Sequence, residues 1–182
     1  MPRGSILVVD DELEIREGLG ALLTSENFEV TLAGTGEEGL QKLEERPYDL
    51  VLLDVSLPDL NGLDLQKQLA GERLDMPIIF ITGYGDIPMT VRAMKAGAVE
   101  FLTKPLAEEA LLGAIRHAID HSTAKLRDEA ELQALRGCYA SLSRRERQVM
   151  ALVVCGRLNK QVGGELGISE ITVKAQIGRA HV

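Results

Sequence analysis

The sequence predicts an α/β chain built on a doubly wound parallel sheet, and three observations predict it. Five short runs have the length and β-branched character of buried strands. Amphipathic helical patterns separate them, and repeated β-α units favour a parallel sheet covered on both faces. Four of the runs end on reactive side chains: SILVVDD on Asp10 and Asp11, LVLLD on Asp54, IIFIT on Thr82 and EFLTKP on Lys104.

Ser5–Val9 reads as the first strand and Glu12–Glu26 as the first helix. Glu29–Ala33 with Thr35–Glu45, and Leu50–Asp54 with Leu63–Ala70, make the second and third units. Within the third, the loop DVSLPDLNG has Pro58 and Gly62 as turn formers. Pro77–Thr82 with Pro88–Ala96, and Glu100–Thr103 with Leu106–His121, complete the series. The expected strand order is the flavodoxin-like 2-1-3-4-5, with its switch point between the strands that end in Asp10–Asp11 and Asp54.

Beyond this, Ser122–Ala140 is polar, with Leu126, Leu132 and Leu135 at helical spacing. It reads as a linker helix extending the one before it; the heptad is too short to favour a dimerising coiled coil. Ser143 and Glu146 form an S-x-x-E capping box, so a helix should start at Arg144 and stop near Gly156. Asn159–Leu166, the turn Gly167-Ile168, the N-cap Ser169 and Glu170–Gln176 then give a helix-turn-helix. Val149, Leu152, Val162, Leu166, Ile168 and Val173 should form its small core. Gly163 and Gly164 fall inside a helix, where each costs about 1 kcal/mol relative to Ala. The expected division is 1–121, a linker at 122–140, and 141–182.

Composition narrows the function. The chain has 182 residues and is 45% hydrophobic, with no apolar stretch of membrane-spanning length, so a cytoplasmic protein is expected. Met1–Arg3 leads directly into a strand, so no signal peptide is expected. Cys138 and Cys155 lack metal-ligand spacing, and His117, His121 and His181 do not cluster with them. The net charge of −8 is uneven: residues 1–120 hold 22 Asp/Glu and 10 Lys/Arg, whereas residues 121–182 hold 6 and 10. The second part would attract a phosphate backbone that the first repels.

In an open parallel sheet, ligands bind outside the carboxyl ends of the strands. Asp10, Asp11, Asp54, Thr82 and Lys104 should therefore share one pocket, suited to a divalent metal and a phosphoryl group. Ionised carboxylates are hard oxygen ligands of the kind Mg²⁺ takes, which makes Asp11 and Asp54 its expected direct ligands, with Asp10 helping to position the ion. Taken alone, Asp11 reads first as a helix N-cap with Glu14 completing a capping box, and the two roles can coexist. Asp10, beside a hydrophobic strand, needs a cation partner.

Residues 4–120 resemble the receiver domain of two-component response regulators on the joint spacing of DD, D, T and KP. The stretch LSRRERQVMALVVCGRLNKQVGGELGISEITVK resembles the LuxR-type DNA-binding domain. Together they point to the NarL/FixJ subfamily. The resemblance implies that Asp54 is the phosphorylated aspartate, that the Ser56 backbone carbonyl is a third metal ligand, and that the Lys104–Pro105 bond is cis. It also makes Thr82 the switch hydroxyl, Phe101 the rotating aromatic and Lys104 the phosphoryl-binding cation. Glu170–Gln176 would begin the recognition helix, with Thr172 and Lys174 contacting DNA and Lys160 reaching phosphate.

A dehalogenase-like phosphatase would need a second Asp two positions after Asp54, where this chain has Ser56, so a non-enzymatic role is expected. The family pattern continues into a fourth output helix, whereas Ile177–Val182 reads as one translated frame of a common sequencing adapter. That ending is expected to be non-native, with Gln176 partly so and the output domain truncated. The expected function is a transcription factor that accepts phosphoryl on Asp54 from a sensor histidine kinase, dimerises and binds promoter DNA. A receiver acting only through protein contacts, with a non-functional DNA-binding remnant, is the alternative.

Overall fold

The computed structural model describes residues 2–66, 76–83, 91, 92, 94, 95 and 97–179. Its first compact unit, Met1–Leu126, is organised on five parallel strands: β1 Ser5–Val9, β2 Glu29–Ala33, β3 Leu50–Asp54, β4 Ile78–Thr82 and β5 Glu100–Thr103. Their order is β2-β1-β3-β4-β5, as expected. Every residue of β3 and β4 is buried, whereas the edge strands β2 and β5 are partly exposed. Near-continuous apolar runs are what a parallel sheet covered on both faces requires.

Alternation along each strand divides the core in two. Leu7, Val9, Val51, Leu53 and Phe80 face one layer, with Leu43 of α2 (Gly36–Glu45) and Leu63 and Leu65 beyond β3. Ile6, Val8, Leu50, Leu52, Ile79 and Ile81 face the other. There they meet Leu19 and Leu23 of α1 (Leu13–Ser25) and Leu111, Leu112 and Ile115 of α3 (Glu108–Ser141). Fully burying one such side chain is worth roughly 1.5–3 kcal/mol, so these two layers fix the register of the central strands.

Helix α2 illustrates how the chain satisfies its own termini. Asp59, in the loop after β3, accepts the first two helical N–H groups, Gly36 at 2.9 Å and Glu37 at 2.8 Å. Thr35 Oγ1 accepts the third, from Glu38. Those bonds hold the Asp59 carboxyl below the usual carboxylate range. The expected helix Leu63–Ala70 is present over its described part, to Gln66, while residues 67–70 lie outside the described residues. Of Pro88–Ala96, only residues 91, 92, 94 and 95 are described, and they are helical.

Helix α3 runs unbroken for 34 residues, joining the expected fifth helix and the linker in one element. The second compact unit, Arg127–Val182, contains α4 (Arg144–Val154), α5 (Asn159–Leu166) and α6 (Glu170–Arg179). Ser143 and Glu146 form the expected capping box. Gly167 ends α5 in the left-handed conformation at φ 67°, where glycine carries no steric penalty. Val149, Val162 and Val173 are the buried centre, with Leu152, Leu166 and Ile168 packed against them.

The two helix glycines differ. Gly164 faces open space, but a Cβ on Gly163 would lie 2.7 Å from the Ile168 carbonyl oxygen. The turn packs directly on the Gly163 backbone, so the pair is more than the uniform propensity loss expected from sequence.

Candidate functional site

Sheet register assembles the pocket. Val9 pairs with Leu53, so Asp10 and Asp54 each stand one residue beyond that rung. Asp54 pairs with Ile81 and Thr82 with Thr103, which sets Lys104 one step further along. Residues far apart in sequence are thus brought to the carboxyl ends of neighbouring strands.

Lys104 is the hub. Its Nζ lies 2.6 Å from Asp54 Oδ2, 2.9 Å from Asp10 Oδ2 and 2.7 Å from Glu12 Oε1. The ammonium is nearly buried, as are the first two carboxylates, while Glu12 is exposed. Burial alone would lower the Lys104 pKa; the hydrogen bonds to Asp54 and Glu12 and the ion pair with Asp10 outweigh it and hold the group above the ordinary lysine range. The Lys104–Pro105 peptide is cis, and the Lys104 N–H donates to the Thr82 carbonyl at 2.8 Å.

Asp54 is held from both sides. Its Oδ1 accepts the Ser56 backbone N–H at 2.8 Å, and its Oδ2 accepts from Lys104. The loop after β3 folds back so closely that a Cβ on Gly62 would lie 2.6 Å from the Asp54 carbonyl oxygen, which excludes any larger residue there without backbone movement.

Asp10 is 1% exposed and has its pKa raised, first by burial, against the lowering effect of Lys104 and of the Glu12 N–H. Its Oδ1 accepts that N–H at 2.9 Å. Its Oδ2 is close enough to Lys104 for an ion pair but is not aligned for a hydrogen bond, and has no other donor. A buried carboxylate oxygen left without a hydrogen bond is a fitting donor for a hard cation. Among the described residues, carboxylate oxygens of Asp10, Glu12 and Asp54 come within 4.8 Å of one another and could hold a metal.

Asp11 stands apart from this group and is exposed. Nor is it the helix cap: Glu12 occupies the N-cap of α1 without a side-chain bond, and no Asp11–Glu14 capping box forms. The reason is local, since Asp10 already accepts the Glu12 N–H. Thr82 is fully buried, and Phe101 is half-buried with its ring 6.5 Å from that of Phe80. Ser56 is exposed and contributes its N–H to Asp54.

Two residues in this region escaped the sequence reading. Glu12 lay next to the acid pair and read as the start of a helix. Arg16, one turn further on, donates from its guanidinium to the Asp10 carbonyl at 2.6 Å and the Asp11 carbonyl at 3.4 Å, bracing the turn that bears the acids. Only the one-turn spacing from Glu12 could have signalled it.

In the second unit, Lys160 is exposed in the first turn of α5. Thr172 is half-buried, its Oγ1 sharing a hydrogen bond with Ser169 Oγ at 2.8 Å, and its N–H donates to the same oxygen. Ser169 is therefore the expected N-cap. Lys174 forms an exposed i,i+4 pair with Glu170 at 3.1 Å.

Comparison with known proteins gives two family matches: the response regulator receiver domain over residues 6–116, and the bacterial regulatory proteins of the luxR family over residues 140–181. Nodulation protein W of Bradyrhizobium diazoefficiens is 45% identical over 97% of this chain and 77% of its own length. Response regulator protein TmoT of Ectopseudomonas mendocina is 43% identical over 93% of this chain and 77% of its own. The low-resolution structure of the response regulator StyR superposes with a TM-score of 0.80 at 40% identity, covering 98% of this chain and 92% of that one.

Proposed function

Because this chain belongs to the response regulators that join a receiver domain to a LuxR-type DNA-binding region, we propose that Asp54 is its phosphoryl acceptor and that acceptance controls promoter binding. The observation that carries this is the Lys104 ammonium 2.6 Å from Asp54 Oδ2 at the carboxyl ends of the strands.

The donor is the phosphohistidine of a sensor histidine kinase. An Asp54 carboxylate oxygen attacks phosphorus; the new O–P bond forms as the N–P bond breaks and the imidazole leaves. Lys104 neutralises charge on the transferred group, and the Ser56 N–H fixes the rotamer of the nucleophile. Mg²⁺, held by oxygens of Asp10, Asp11, Asp54 and the Ser56 carbonyl, would supply further charge neutralisation. Asp10 and Asp54 are shared by this set and by the acidic group that the fold gathers, so the remaining place falls to Asp11 or Glu12. Calorimetry decides it: Asp11→Ala should weaken Mg²⁺ binding, and a loss confined to Glu12→Ala would replace Asp11 by Glu12.

Phosphorylated Asp54 then engages the Thr82 hydroxyl, with Phe101 following, and the chain forms a homodimer in the cytoplasm. Lys160, Thr172 and Lys174 are the proposed DNA contacts. Gel shift of duplex DNA with and without a small phosphodonor tests the whole reading. Retention that rises with phosphorylation and falls with salt supports it. Labelling without DNA binding would favour a receiver acting through protein contacts alone.

A further inference from the structure

The helix-turn-helix presents an unexpected side chain outward. On α6, Val173 is fully buried, and Ile171, two residues before it, is about 200° away around the helix. Ile171 is accordingly 80% exposed, in the first turn after the Ser169 cap. The neighbouring polar groups are engaged locally: Thr172 shares its hydroxyl with Ser169, and Lys174 pairs with Glu170. Ala175, one turn after Ile171, is also exposed. The outer face of this helix therefore carries two apolar groups, Ile171 and Ala175, beside the exposed Glu170–Lys174 pair, where base edges would be read.

Resting on the DNA-binding reading above, we propose that Ile171 is a specificity-determining residue that reads the C5-methyl group of a thymine in the major groove. The methyl is the one apolar feature of a base-pair edge there, and apolar side chains are its natural partners. The second unit suits a nucleic-acid partner better than a protein one, since residues 127–182 carry 9 Lys/Arg against 6 Asp/Glu. Phosphate contacts by the basic residues set position and supply affinity, while Ile171 supplies discrimination.

Deoxyuridine tests this directly, because it keeps every hydrogen-bonding group of thymine and removes only the methyl. A site is selected from randomised duplexes with the full chain, and each thymine is then replaced in turn. At one position the replacement should weaken binding by about 4-fold, the effect of losing one buried methyl-sized contact. Ile171→Ala should lose a similar factor on the thymine site and show no further loss with deoxyuridine, while Ile171→Val keeps part of the discrimination. An exposed substitution of this kind leaves folding nearly unchanged, which thermal unfolding checks. The proposal is overturned if no deoxyuridine weakens binding, or if Ile171→Ala responds to it as the unaltered chain does. Absence of any salt-sensitive binding by the unaltered chain would overturn the DNA-binding reading itself, and this inference with it.

Discussion

Lys104 and Asp54, 50 positions apart in sequence, meet at 2.6 Å between Nζ and Oδ2. The same ammonium reaches Asp10 and Glu12, so before any phosphoryl group arrives it is shared among three carboxylates. A phosphoryl group on Asp54 brings oxygens that compete for it. The resting pocket thus holds a concentration of negative charge that serves chemistry better than stability.

Asp10→Asn should accordingly stabilise the fold, by about 1 kcal/mol at neutral pH, while weakening Mg²⁺ binding. The direction follows from burial, which raises the Asp10 pKa above 3.8. A carboxyl with a raised folded-state pKa favours folding most when protonated, below its unfolded value. That contribution is lost as pH rises through the window up to the raised pKa. Urea unfolding at pH 7 and near pH 4 should therefore show the gain of Asp10→Asn shrinking toward the acid side.

Asp59 should behave oppositely. Its pKa is lowered by the Gly36 and Glu37 N–H groups, so its contribution is present above 3.8 and lost as pH falls through the depressed pKa. Asp59→Ala leaves the Thr35 cap but removes the acceptor of the first two α2 N–H groups, and should cost about 1 kcal/mol at pH 7, a loss of the size typical for a helix cap. Solvent exposure keeps the figure from being larger. An unchanged urea midpoint at pH 7 would show that water replaces the carboxylate without penalty.

Much of this was legible in the sequence because the signals were local. Strand-length apolar runs and helical periodicity located β1 to β5, and the capping residues Ser143 and Ser169 placed the starts of α4 and α6. The meeting of Asp10, Asp54 and Lys104 followed from strand order alone. What sequence could not supply was side-chain direction within a turn. Asp10, not Asp11, turned inward because its Oδ1 bonds the Glu12 N–H, and that brought Glu12 to Lys104. Nor could composition reveal that Gly163 lies under the Ile168 carbonyl, since that approach depends on how the turn packs.

The glycine pair gives a test within one helix. Gly164→Ala meets nothing within 4 Å and should stabilise the second unit by roughly 0.5–1 kcal/mol through helix propensity. Gly163→Ala should gain less or lose, because the turn at Ile168 must shift. Equal gains from both, measured by thermal unfolding, would mean that the turn yields freely.

Phosphorylation should promote dimerisation through the face Ile87–Phe101, much of which lies outside the described residues. The proposed link is Thr82 moving toward the phosphoryl group and drawing residues 83–86 with it, of which 84–86 lie outside the described residues. Light scattering on the chain with and without phosphodonor should show mass rising toward a dimer only with the donor. A monomer under both conditions would contradict the proposal.

The most direct measurement of the central claim is intact mass after incubation with a small phosphodonor and Mg²⁺, comparing the unaltered chain with Asp54→Asn. The account predicts one phosphoryl group on the former and none on the latter, with both chains folded. A variant that acquires the group to the same extent would contradict it.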